Sequence, residues 1–112
     1  MSDEFVRVCA VDDIQEGFPL GFSATDGPDG RRVLVRVDGD VYALEGVCPH
    51  QGADLSEGIV EHGVLWCPVH SSGFDCRTGA VNHPPAPGPL RTYRVRVEAG
   101  EVHVCVEPET PG

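Results

Sequence analysis

Two short runs of this 112-residue chain each pair a cysteine with a histidine, Cys48-x-His50 in "CPHQG" and Cys67-x-x-His70 in "CPVHSSG". Sixteen residues separate His50 from Cys67, proline directly follows each cysteine, and glycine flanks both runs. Two thiolates and two imidazoles brought to one point suit zinc or iron–sulfur chemistry, and suit magnesium or calcium poorly. A structural Cys2His2 zinc site would use the same four ligands. Zinc fingers usually pair cysteine with cysteine and histidine with histidine, whereas each run here supplies one of each. A binuclear centre with both cysteines on one metal and both histidines on the other would need that mixture. Spacing alone leaves the choice open.

Both runs follow predicted strands, "VYALEGV" before Cys48 and "VLW" before Cys67, so two loops springing from hairpins could meet. Periodicity along the chain is two almost throughout. "RRVLVRV" puts Val33, Val35 and Val37 on one face and Arg32, Leu34 and Arg36 on the other, and the Asp38–Asp40 turn leads into "VYAL". Residues 32–44 therefore read as a hairpin. "RTYRVRV" and "VHVCV" give a second, with Tyr93, Val95 and Val97 matched by Val102, Val104 and Val106. "IVEHGVLWC" gives a third, turning at residues 61–63 and running into Cys67. Fourteen glycines and ten prolines punctuate these short strands, and residues 11–17 allow at most a helical turn. The expected fold is all-β, an antiparallel sandwich or small barrel in a single domain spanning 1–112. "HPPAPGP" (83–89) should form a stiff, extended loop.

A hydrophobic content of 40% is that of a globular domain. The net charge of -10, with eight arginines and no lysine, argues against nucleic acid and for steering toward a basic protein partner. No apolar run reaches transmembrane length, and "MSDEFVRV" lacks the apolar stretch of a secretory signal. The expected location is the cytoplasm, where five cysteines serve metals, redox chemistry or packing more often than a disulfide framework.

"CPHQG", the sixteen-residue spacing and "CPVH…GFD…TG" together resemble the Rieske [2Fe-2S] proteins. More closely, the chain is similar to the small soluble Rieske-type ferredoxins that feed electrons to bacterial aromatic-ring oxygenases. The likeness also takes in "VLVRVDGDVYALEGV", "FDCRTGAV", the proline run and "YRVRVEAGEVHV". It implies one [2Fe-2S] cluster, with Cys48 and Cys67 on the inner iron and His50 and His70 on the outer one through Nδ1. It also implies a cluster-binding subdomain over about residues 46–89, inserted in a larger antiparallel β structure, with the proline loop (84–89) as the cluster's third wall.

With two ferric ions, two sulfides and two thiolates the formal charge is zero, so an added electron costs less than with four thiolates. Protein occupies every ligand position, which implies an electron carrier rather than a catalyst. The resemblance further implies a flavin-containing NAD(P)H reductase as donor, a terminal oxygenase as acceptor, and a monomer in solution. High-potential relatives tie the two loops with a disulfide, but Ala53 and Val69 stand at those positions here. Ser72 keeps the family's serine donor while Phe74 lacks the tyrosine hydroxyl, so a low potential is expected. Ser71 departs from the glycine usual after the second histidine. Two other readings remain open: the Rieske-like small subunit of an NAD(P)H nitrite reductase, and a zinc-stapled binding module.

Other candidates read more simply as structure. Cys76 and Cys9 are expected to pack in the core, and Cys105 and His103 to share a half-exposed strand face. His62 belongs to a hairpin turn, His83 to the surface at the start of the proline run, and Trp66 to the anchoring of the second loop. Glu45, Asp54, Glu57 and Glu61 could form an acidic docking rim.

Overall fold

The computed structural model describes residues 4–23, 30–49, 52–68, 72–84 and 88–109. His50, Val69, His70, Ser71 and residues 85–87 of the proline run lie outside the described residues. Ten strands are described: β1 (Phe5–Ala10), β2 (Leu20–Ser23), β3 (Arg31–Val37), β4 (Asp40–Glu45), β5 (Ile59–Glu61), β6 (Val64–Trp66), β7 (Gly73–Asp75), β8 (Val81–His83), β9 (Thr92–Glu98) and β10 (Glu101–Pro108). They form a six-stranded sheet in the order β1-β10-β9-β4-β3-β2 and a four-stranded sheet in the order β5-β6-β7-β8. Every pairing between these strands is antiparallel. Among the described residues no helix is long and apolar enough to cross a membrane.

The three expected hairpins are present, and they share one turn geometry. Asp38-Gly39, His62-Gly63 and Ala99-Gly100 each place two successive residues at positive φ. Such two-residue turns carry the twist that matches the flanking strands. Glycine supplies the second position freely, while Asp38, His62 and Ala99 accept φ of 52–54° at the first. Residues 11–13 form the single 3-10 turn that the sequence allowed between residues 11 and 17.

β3 is buried on both faces, and this organises the molecule. Its odd-numbered side pairs Val33, Val35 and Val37 with Leu44 and, from the four-stranded sheet and its flanking loops, Leu55, Val60, Leu65 and Phe74. Its even-numbered side puts Leu34 into a second core with Ile14, Ala43, Tyr93, Val102 and Val104. This second core is the interior of the curled six-stranded sheet. At one end Ile14 fills it, with its carbonyl accepting from Arg36 Nη1 at 3.4 Å. At the other end lies Arg32, buried, with its guanidinium 3.7 Å above the Tyr93 ring.

Arg32 answers a local defect in β10. The β9–β10 register slips between Val104 and Pro108, so carbonyls in between lose their ladder partners. Arg32 Nη1 donates to Cys105 O at 3.1 Å and Nη2 to Val106 O at 2.7 Å. A strand three places away in the sheet thus satisfies what the ladder leaves open. Cys105 is wholly buried, against the half-exposed face expected for it. Phe5 stands opposite it on β1, and Arg94 Nη2 donates to its Sγ at 3.6 Å.

Candidate functional site

Cys48 and Cys67 each open a loop that closes on itself in the same way. Cys48 N donates to Ala53 O at 2.9 Å, and Cys67 N donates to Ser72 O at 2.9 Å. In both, the cysteine amide reaches the carbonyl five residues on. His50 and His70 therefore belong to two loops of equal span, although their own placement lies outside the described residues. In the first loop Gly52 N also donates back to Cys48 O at 2.8 Å, with Gly52 at φ +72°. The second loop follows β6 directly and returns into β7, so the β6–β7 pair holds both its ends.

The first loop is fastened below by a 3-10 turn at Leu55–Glu57. Asp54 caps it: its carboxylate accepts from Ser56 N at 2.9 Å and from Ser56 Oγ at 2.6 Å. The Ser56 hydroxyl is the main reason the Asp54 carboxyl is held below its ordinary pKa. Leu55 is fully buried and Leu55 N donates to Gly46 O at 2.9 Å, so the turn is tied to both the core and the base of the loop. Gly58 ends the turn where any side chain would collide with the Trp66 carbonyl, which brings the two loop bases side by side.

Both cysteines are buried in the core shared with Phe74, Leu65 and Cys76, and none of the five cysteines forms a disulfide. At the foot of the second loop Ser72 is fully buried, and its Oγ has no hydrogen-bond partner among the described residues. A hydroxyl in that state normally finds an acceptor. Two buried thiols with an orphaned donor beside one of them fit a sulfur-rich metal centre that accepts from Ser72. Phe74, fully buried, offers no such donor. Cys76 is fully buried and its thiol is pushed up to about 12 by burial, then by Asp75, which suits packing and not ligation. Cys9 is likewise buried, its thiol raised first by burial and then by Asp13.

The four acids read as a rim divide into two pairs. Glu45 Oε1 accepts from Arg91 N at 2.8 Å, and Asp54 is spent on its cap, so both have structural work. Glu57 and Glu61 are exposed, and no ion pair engages either among the described residues. Trp66 is half-buried and stacks on His83 with ring centroids 4.7 Å apart, a contact that the sequence did not disclose. A row of short strands with a glycine between the two aromatic positions was the only available signal.

A family model described as Rieske [2Fe-2S] domain matches residues 4–94. Among known proteins, the chain is 36% identical over 97 residues to the anthranilate 1,2-dioxygenase ferredoxin subunit of Burkholderia cepacia, covering 87% of each. Among solved structures, it superposes with a TM-score of 0.89 and 32% identity on a chain from the complex of reduced oxygenase and oxidized ferredoxin in carbazole 1,9a-dioxygenase. That match covers 98% of this chain and all of the other. A putative NADH-dependent nitrite reductase small subunit from Mycobacterium tuberculosis matches at 0.80 and 25% identity over the whole of both chains. The family match takes in β1–β4 of the six-stranded sheet, the whole four-stranded sheet and both cysteine loops, and so the chain belongs to the Rieske [2Fe-2S] domain family.

Proposed function

We propose that this protein is a Rieske-type ferredoxin that carries single electrons from an NAD(P)H-dependent flavin reductase to a terminal oxygenase. The observation that carries the reading is the matched pair of closed loops, each opening on a buried cysteine outside any disulfide. Cys48, His50, Cys67 and His70 would hold the cluster, within a unit spanning about residues 46–89. When bound, the cluster supplies reversible uptake of one electron at a centre with no open position for substrate. The chain's residues exclude water from the cysteine side through Leu55, Leu65 and Phe74, and hold the loops by paired amide contacts. Ser72 Oγ, buried and without a partner among the described residues, would donate a hydrogen bond to a sulfur of the bound cluster and so stabilise the added negative charge of the reduced state.

Phe74 gives no second donor, and Ala53 allows no bridge between the loops, so the potential should lie at the low end of the family. Location in the cytoplasm and a monomeric state fit a carrier that must leave one partner to meet the next. The ferredoxin relatives support an oxygenase as acceptor, while the substrate is chosen by that acceptor and not by this chain. The likeness to a nitrite reductase small subunit favours a second reading, a fixed subunit of a larger reductase.

Anaerobically purified protein should be red-brown and give the rhombic EPR signal of a mixed-ligand [2Fe-2S] centre on dithionite reduction, with a midpoint below zero. A colourless, zinc-loaded protein would overturn the carrier reading. A protein that elutes only within a large complex would favour the fixed subunit.

A further inference from the structure

One row across the four-stranded sheet runs Ile59, Trp66, Gly73, His83, each facing the next on the neighbouring strand. Gly73 leaves its place in the row bare, and the indole extends across it to reach His83. A Cβ on Gly73 would lie 3.1 Å from the indole Cζ3 and 2.9 Å from Val64 Cγ1, so glycine is what lets the ring lie down. On the other side of Trp66 a cleft of about 480 Å³ opens between the β5–β6 hairpin and Pro68. Ile59, Glu57, Glu61 and Trp66 line it, and Cys67 forms part of its wall. Ile59 is 46% exposed. The charged residues that line the cleft, Glu57 and Glu61, have one sign. From residue 37 to 76 the chain has seven acids and not one arginine or lysine.

We propose that this cleft is a docking site for a cationic side chain, arginine or lysine, of a basic protein partner. The inference rests on the carrier reading and adds a place and a chemistry to it. A cation entering the cleft meets the indole face, a favourable cation–π contact, with the Glu57 and Glu61 carboxylates on the same wall. Its methylene stem covers Ile59, which removes apolar surface from water. Neither acid has to give up an internal ion pair to do this. Because Cys67 lines the cleft, a partner seated there approaches the cysteine side of the proposed cluster.

Horse ferricytochrome c, a basic protein that takes one electron at its ferric haem, serves as the probe. Its reduction by the dithionite-reduced protein should be second order and slow as salt is raised. Trp66→Ala should lower the rate constant at low salt about three- to tenfold, the size of one lost cation–π contact and its apolar cover. Glu57→Lys/Glu61→Lys should lower it about tenfold and flatten the salt dependence. Asp12→Lys/Glu98→Lys makes the same charge change beside the β9–β10 turn, the end of the six-stranded sheet remote from Cys48. It should change the rate by under about twofold.

Binding can also be read without electron transfer. Trp66 is the only tryptophan, so protein grown on 5-fluorotryptophan gives one fluorine resonance. Titrating the oxidised protein with ferrocytochrome c should shift that resonance saturably, and the Glu57→Lys/Glu61→Lys variant should abolish the shift. If the resonance stays still, or both variants transfer electrons at the wild-type rate with an unchanged cluster spectrum, the cleft proposal falls and the carrier reading stands. A sample without the cluster's EPR signal removes both.

Discussion

Strands of the six-stranded sheet run four to eight residues, whereas each strand of the four-stranded sheet has three. The longer sheet curls around its own interior, filled by Leu34, Ala43, Tyr93, Val102 and Val104. The shorter one has too little apolar surface for that and packs Val60, Leu65 and Phe74 on the outer face of β3 and β4. Charge divides them too. Seven of the eight arginines lie outside β5–β8 and their connections, and Arg77 is the exception. The scaffold thus has an interior of its own and is mixed in charge, while the cysteine-bearing part is acidic and has its core only against the scaffold. A redox centre held this way can be lost without losing the scaffold, but the reverse does not hold.

The sharpest break is Cys67→Ser. It should abolish the visible absorption of the cluster completely, while the far-ultraviolet circular dichroism of the six-stranded sheet persists. Cys105→Ser changes a fully buried thiol in the other region and should leave the absorption intact. Loss of both signals in Cys67→Ser would show that the scaffold depends on the cluster, against the dependence argued above.

Next in size, Phe74→Ala and Leu34→Ala separate the two cores. Each removes a fully buried side chain and should cost about 2–5 kcal/mol, measured by urea unfolding. Their consequences should differ. Phe74→Ala should speed cluster loss at urea concentrations where the scaffold is still folded. Leu34→Ala should bring both signals down together.

Legibility in the sequence follows the same division. Strand periodicity, the positions of the hairpin turns and the cysteine–histidine runs were readable because each is a local pattern. The two faces of β3 were read correctly, but a period of two does not say that both are buried. The sequence placed Arg32 on the face opposite the valines without saying what that face meets, and the slip in β10 explains why a guanidinium belongs inside. Cys105 misled for the same reason, since its cover comes from Phe5 and Arg94 on neighbouring strands. Of four acids near the first loop, the sequence could not tell Glu45 and Asp54, engaged in backbone contacts, from Glu57 and Glu61. Partners distant in sequence decided each case.

Arg32→Met tests whether the scaffold needs that plug. The variant keeps apolar volume but strands the Cys105 and Val106 carbonyls, so a loss of about 1–3 kcal/mol is expected. Arg32→Lys has one donor nitrogen where the guanidinium uses two to reach separate carbonyls, and should fall between the two. The cluster's spectrum should be unchanged in both, because the effect belongs to the scaffold alone. If Arg32→Met proves as stable as wild type, water satisfies those carbonyls instead.

The smallest expected effect lies at the joint between the regions, in the Asp54 cap. Its carboxyl is held below the ordinary 3.8, chiefly by the Ser56 hydroxyl. A depressed folded-state value means the carboxylate stabilises the fold fully above the unfolded pKa, and that this stability is lost as pH falls through the folded value. Asp54→Ala should therefore cost about 0.5–2 kcal/mol at neutral pH. The gap from wild type should narrow below about pH 4, as the wild-type carboxylate is itself protonated. Ser56→Ala separates cap from charge. It leaves the backbone contact from Ser56 N in place and removes the hydroxyl, so the Asp54 carboxyl should titrate closer to 3.8, seen in its carbon-13 resonance. If Ser56→Ala leaves the titration where it was, the hydroxyl is not the cause. The backbone amide and Arg31 would then hold the carboxylate down.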